Sequence, residues 1–191
     1  MSRIKRLLVA AGLVVMCMRD IVHGASSQSG SQIAEAVGGG KSLTWDVAID
    51  CRTFRFNGGI SFEQFGRGDG FIANGKIFPA GTLPNGVQAN DPNDPGSIGN
   101  WIERGTMAAT LAEISAGKRP AFFASWFHFL DDGSGLIADG PHPDSGPMAI
   151  VGGMGRFRDA SGELSDVIIG SNSTGCPNLR LTIRLKKRAA H

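Results

Sequence analysis

At 191 residues, with 28 glycines, nine prolines, eleven phenylalanines and no tyrosine, the chain has the size of one domain, and its composition suits short strands and tight turns better than long helices. Residues 1–24 hold four of the 19 basic and one of the 17 acidic side chains, so the remainder carries 15 basic against 16 acidic residues, a net charge of −1. That balance leaves no basic field for nucleic acid or an acidic membrane surface.

The N-terminus sets Arg3, Lys5 and Arg6 ahead of an apolar run from Leu7 to Met18, followed by small residues at Gly24 and Ala25. This is the layout of a secretory signal peptide over residues 1–25, cleaved after Gly24 or Ala25. The run is too short to span a bilayer, although an uncleaved N-terminal anchor stays open as an alternative because Arg19 and Asp20 precede the cleavage site. Cys17 follows Met16, where a lipoprotein leader would carry a small residue. The expected location is secreted or periplasmic, without membrane attachment after processing. Residues 26–41, SSQSGSQIAEAVGGGK, form a small polar linker, and the folded domain is expected over residues 42–189.

From Ser42 onward, alternating runs recur as SLTWDVAIDCRTFRF, GDGFIANGKIFPAG, WIERGTMAATLAEI, PAFFASWFHFL, GLIADG, PMAIVGG, GELSDVIIGS and NLRLTIRLKK. Turn residues fill the gaps, as in NGG, LPNG, DDGSG, PHPDSGP and DASG, and alternation punctuated in this way predicts strands. A helical pattern is confined to a short turn over residues 110–116. About eight strands at hairpin spacing predict an antiparallel sandwich or an up-and-down barrel. Residues 81–100 form the one long loop, either a lid or a disordered segment; Pro92 and Pro95 break the spacing of a calcium loop.

Cys51 and Cys176 remain after processing. In an oxidising compartment they form a disulfide or stay as two buried thiols; zinc-ligand spacing is lacking. A closed barrel pairs its first strand antiparallel to its last, which brings the far end of the first beside the beginning of the last. Both cysteines lie at those places, so a disulfide is expected to staple the seam, an arrangement a sandwich also permits.

The stretch MAIVGGMGRFRDASGELSDVIIG, residues 148–170, crowds glycines as a phosphate loop does. A phosphate loop needs a helix after it, whereas ELSDVIIG alternates as a strand. These glycines are therefore expected at close backbone approaches, bulges or corners.

MAIVGGMGRFRDASGE resembles the V-G-G-T-G-R-F-x-x-A-x-G motif of plant dirigent proteins and the G-G-x-G-x-F-x-x-A-x-G of allene oxide cyclases. RGDGFIANGKIFPAG and ASWFHFLDDGSGLIADGPHPDSGPMAI are similar to cyclase segments in the same order, and the similarity runs from about Gly68 to the last strand. The resemblance implies an all-β, eight-stranded antiparallel β-barrel with an apolar cavity. It also implies action on a small hydrophobic molecule without metal or cofactor, and homo-oligomers, as trimers or dimers. The chemistry carries over less well. Met107 stands where the cyclases place a cysteine, Ile102 where dirigent proteins place an arginine, and Gly75, next to Asn74, where the cyclases place an asparagine.

If Met107 points inward, period-two alternation lines the cavity with Trp101, Glu103, Gly105, Met107 and Ala109. Glu103 is then a desolvated carboxyl suited to acid or base work; otherwise it sits near a barrel end and meets water or Arg104. His128, on the face of Trp126 and Ala124, is a proton donor to a ligand or a satisfied structural histidine. The candidate catalytic residues are Glu103, Asn74 and His128, with Trp126 a further wall residue. Asp46, Asp50 and Arg52 share the opposite face of the first strand and are expected in solvent or in cross-strand ion pairs. The RGD at residues 67–69 is read as a turn, and the Asn172 sequon matters only in a glycosylating pathway. The function expected is a cofactor-independent cyclase or isomerase; the alternatives are a non-catalytic carrier or scaffold, and a structural barrel.

Overall fold

The computed structural model describes residues 41–83, 92, 95–142 and 146–186. The expected signal peptide, and the linker up to Gly40, lie outside the described residues, as do residues 84–91, 93 and 94 of the long loop.

Eight strands close into an antiparallel barrel in simple chain order. They are β1 (Lys41–Phe56), β2 (Gly70–Pro79), β3 (Gly99–Met107), β4 (Phe122–Leu130), β5 (Gly135–His142), β6 (Met148–Met154), β7 (Gly162–Ser171) and β8 (Pro177–Leu185). The helix α1 (Leu111–Ser115) is closed by a capping box between Thr110 and Glu113. The barrel alternative is thus realised. Closure also leaves no unpaired sheet edge of the kind a sandwich exposes.

Alternation sets the faces. Trp45, Val47 and Ile49 of β1 and Leu179, Leu181 and Ile183 of β8 fill the interior. Between the two strands, the ladder runs from Lys41–Leu185 to Ala48–Asn178. Beyond that point the Cys51–Cys176 disulfide holds the seam, with the two Cα atoms 5.2 Å apart. Asn172 donates to the Ile49 carbonyl at 2.9 Å and to Asn178 at 3.0 Å. The sequon asparagine is therefore buried and engaged, not displayed.

The glycine-rich stretch ends β6, passes through a 3-10 turn (Gly155–Phe157) and enters β7. Gly152 sits at the irregularity where β6 slips against β5. A side chain at Gly153 would meet the carbonyls of Phe157 and Gly135. Gly153 thus serves a close backbone approach, and Gly152 the strand irregularity.

One outward residue departs from expectation. Asp46 is fully buried, since the turn after β2 folds over it and donates from the backbone of Gly81 at 2.9 Å and Leu83 at 3.1 Å. Its cross-strand partner Arg180 donates from Nε at 2.8 Å. The expected ion pair exists, with its carboxylate buried and the Arg180 side chain partly exposed.

Candidate functional site

Register stacks the interior of β3, β4 and β5 into rows. Trp101, His128 and Leu136 form the base row, Glu103, Trp126 and Ala138 the next, Gly105, Ala124 and Gly140 the third, and Met107, Phe122 and His142 the top. The third row is nearly free of side chains, so rings from its neighbours lean into it. Phe71 of β2 occupies the place a side chain on Gly105 would take. Trp126 and His142 meet at 4.9 Å, and Phe122 and His142 at 5.2 Å, between ring centroids.

β7 supplies an inward carboxylate in line with Leu164 and Ile168. Asp166 faces Leu181 across the β7–β8 ladder. The β6–β7 ladder has only three pairs, from Met148–Leu164 to Ile150–Gly162. Above Met148, His142 of β5 reaches Asp166 of β7, with Nε2 3.4 Å from its carboxylate. These two side chains keep 13% and 20% of their surface exposed.

Glu103 lies behind them and is buried. The Trp126 indole N–H donates to its Oε1 at 2.9 Å. Burial raises the Glu103 pKa above the ordinary carboxyl value; His142 and the Trp126 hydrogen bond oppose this, and Asp166 adds to it. A carboxyl whose proton affinity burial raises is suited to donating a proton and taking one back. Arg104, the alternative neighbour of Glu103, faces outward with its guanidinium over Phe127, 4.8 Å from the ring centroid.

The remaining candidates divide. His128 is fully buried one row deeper, its Nδ1 3.3 Å from the Leu136 carbonyl and its ring beside Trp45. Burial lowers its pKa to about 4, so it is a neutral member of the base. Asn74 stands on the outer face of β2, paired in register with Ile102 and Asp50. Its backbone N–H is taken by the Thr53 hydroxyl at 2.9 Å, and it does not join Glu103. Met107 and Ala109 pack in a second cluster with Phe56, Phe65, Phe71 and Ile114, over the upper rim. Trp101 meets Trp126 edge to face at 5.3 Å.

Sequence reasoning missed His142 and Asp166. PHPDSGP reads as a turn, yet β5 continues through Pro141 to His142, and the row Leu136, Ala138, Gly140, His142 is the alternation that signals it. Among the described residues, no three His, Cys, Asp or Glu side chains converge as a metal site.

No family model matches the sequence, and no curated protein sequence matches it. Among solved structures, the chain is similar to the pterocarpan synthase dirigent protein PsPTS1, with a TM-score of 0.55 at 16% identity over 84% of this chain and all of that one. It is also similar to the pterocarpan synthase dirigent protein GePTS1, with a TM-score of 0.52 at 16% identity over 83% of this chain and 98% of that one. A pyocyanin demethylase is matched at a TM-score of 0.49 and 18% identity, over 76% of this chain and all of that one. At these identities the likeness is one of fold, a dirigent-like closed barrel of eight strands.

Proposed function

We propose that the protein is a secreted barrel that binds a small hydrophobic molecule in the upper half of its interior. There it acts without a cofactor as a cyclase or isomerase on a reactive intermediate. The observation that carries this reading is Glu103, a carboxyl buried in an apolar wall and aimed by the Trp126 indole. Phe122, Trp126 and His142 present ring faces that hold a ligand in one conformer, so that positioning supplies much of the rate. In its protonated form, which burial favours, Glu103 lends a proton to an oxygen as negative charge develops there and recovers one from the product, leaving the atoms of the ligand only rearranged. The shared barrel of the two dirigent proteins, named as pterocarpan synthases, supports action on a small molecule. The disulfide supports an oxidising destination. Exposed Phe123 and Val151 on the outer wall support a homo-oligomer.

A non-catalytic carrier is the second reading, favoured by the aromatic and aliphatic side chains that make up most of the upper wall. Native mass spectrometry of the secreted protein tests both. A retained apolar species, displaced in Ile168→Trp, is expected. Loss of turnover with retained binding in Glu103→Gln identifies an enzyme, and unchanged handling of the ligand identifies a carrier. An interior that excludes apolar probes would overturn both readings.

A further inference from the structure

We infer that the outer wall of β3, β4 and β5 is an interface between two copies of this chain, related by a two-fold axis along β4, with Arg104 of each copy set against Asp139 of the other. The inference rests on the homo-oligomer reading above and names the face and its symmetry.

A sheet that packs one side on a core turns polar side chains to water on the other, and this wall departs from that rule. Of the four exposed large apolar side chains among the described residues, three, Phe123, Val151 and Met154, stand on β4 and β6. Register joins them to half-buried ones. The row Ile102, Phe127, Ile137 crosses β3, β4 and β5 on the outside, and Val151 is the extra residue of the bulge opposite Ile137. One row along, Arg104, Ser125 and Asp139 cross the same three strands, so a cation and a carboxylate flank the central one. Among the described residues neither forms an ion pair: the Arg104 guanidinium lies over the Phe127 ring, and Asp139 accepts from the Ser125 hydroxyl at 3.4 Å.

An exposed apolar face of this kind marks an interaction site, and the charges name its occupant. A two-fold axis laid along β4 exchanges the two sides of the face. Each Arg104 then meets Asp139 of the second copy, each Asp139 meets Arg104, and Ile102 meets Ile137. Laid across the strands at Ser125, the axis would set like charges together, which weakens an interface. Beside Phe123 the wall also holds an open groove of about 510 Å³, with Ile72, Thr106 and Ser125 in its lining, and the Phe123 ring of the second copy fills it.

Sedimentation equilibrium of the processed protein tests this with charge reversals at exposed positions, each variant being checked for an unchanged melting temperature. The parent is expected as a dimer. Arg104→Asp alone and Asp139→Arg alone should each weaken dimerisation at least tenfold, since each sets like charges opposite one another. An equimolar mixture of those two variants should recover parental affinity, because both pairs across the axis are then matched, and native mass spectrometry should find one of each chain in the recovered dimer. The double reversal within one chain should recover it as well. Val167→Lys, on β7 and outside the face, should leave association unchanged. Single reversals without effect, or a mixture that stays monomeric, overturn the inference and leave the homo-oligomer reading standing, as does a trimeric parent. Weaker association in Val167→Lys moves the contact off this face and overturns the inference likewise. A parent that is monomeric up to millimolar concentration overturns the inference and the homo-oligomer reading beneath it.

Discussion

The two ends of the barrel are built from the same alternating strands, yet one is closed and the other left reactive. At the base, Trp45, Trp101, His128, Leu136, Phe157 and Ile183 are buried and fill the lumen, and Trp45 touches both His128 and Phe157. In the upper half, the row of Gly105, Ala124 and Gly140 withholds volume, β6 starts late, and polar groups enter where apolar ones would pack. The difference teaches that a small barrel makes a reactive end by exchange: beside a row of small residues, rings and polar side chains from neighbouring rows take the places that aliphatic side chains fill beneath.

Breaking the base should cost most. Trp101→Ala is expected to lose about 4 kcal/mol in denaturant unfolding, whereas His142→Ala in the upper half should lose only about 1 kcal/mol; equal losses would erase the distinction. Removing the seam staple comes next. Cys51→Ser with Cys176→Ser should lose about 3 kcal/mol, because the bridge closes a long loop of the unfolded chain. His128 and Glu103, buried at different depths, sharpen the comparison through pH. His128 has a folded pKa of about 4 against an ordinary 6.5, so the unfolded chain binds the extra proton first. The stability it contributes is complete above pH 6.5 and is lost as pH falls toward 4, up to about 3 kcal/mol. A His128→Leu variant should show a flatter slope in that window by thermal unfolding. The smallest effect has the opposite sign. Glu103 is raised by burial, so its neutral form stabilises at low pH and that contribution is lost as pH rises through its folded pKa. Glu103→Gln should therefore gain in Tm relative to the parent as pH increases, with little difference near pH 4.

The barrel was legible because each strand obeys one rule, and turn residues mark its ends. Glu103 was legible for the same reason: β3 alternates cleanly from Trp101 to Met107. His142 was hidden because proline and histidine beside PDSG carry the composition of a loop, and only the neighbouring strand holds Pro141 in β5, opposite Phe123. Asp166 was hidden because SDVII offers apolar residues at both parities, and Ile169 in fact joins Ala48, Phe78 and Leu83 outside the barrel. Asp46 looked solvated since nothing local reveals that Gly81 and Leu83 return to cover it. Alternation predicts which residues share a face, but what later covers that face is set by distant chain.

The pairing of Lys41 with Leu185 also dictates an order of events. The first strand cannot complete its ladder until the last has been made, and nearly the whole domain lies between them. Such non-local closure makes folding slow and leaves β1 with an open edge during synthesis. The native ladder sets Cys51 and Cys176 side by side at that same seam, so the bridge locks the step that shuts the barrel.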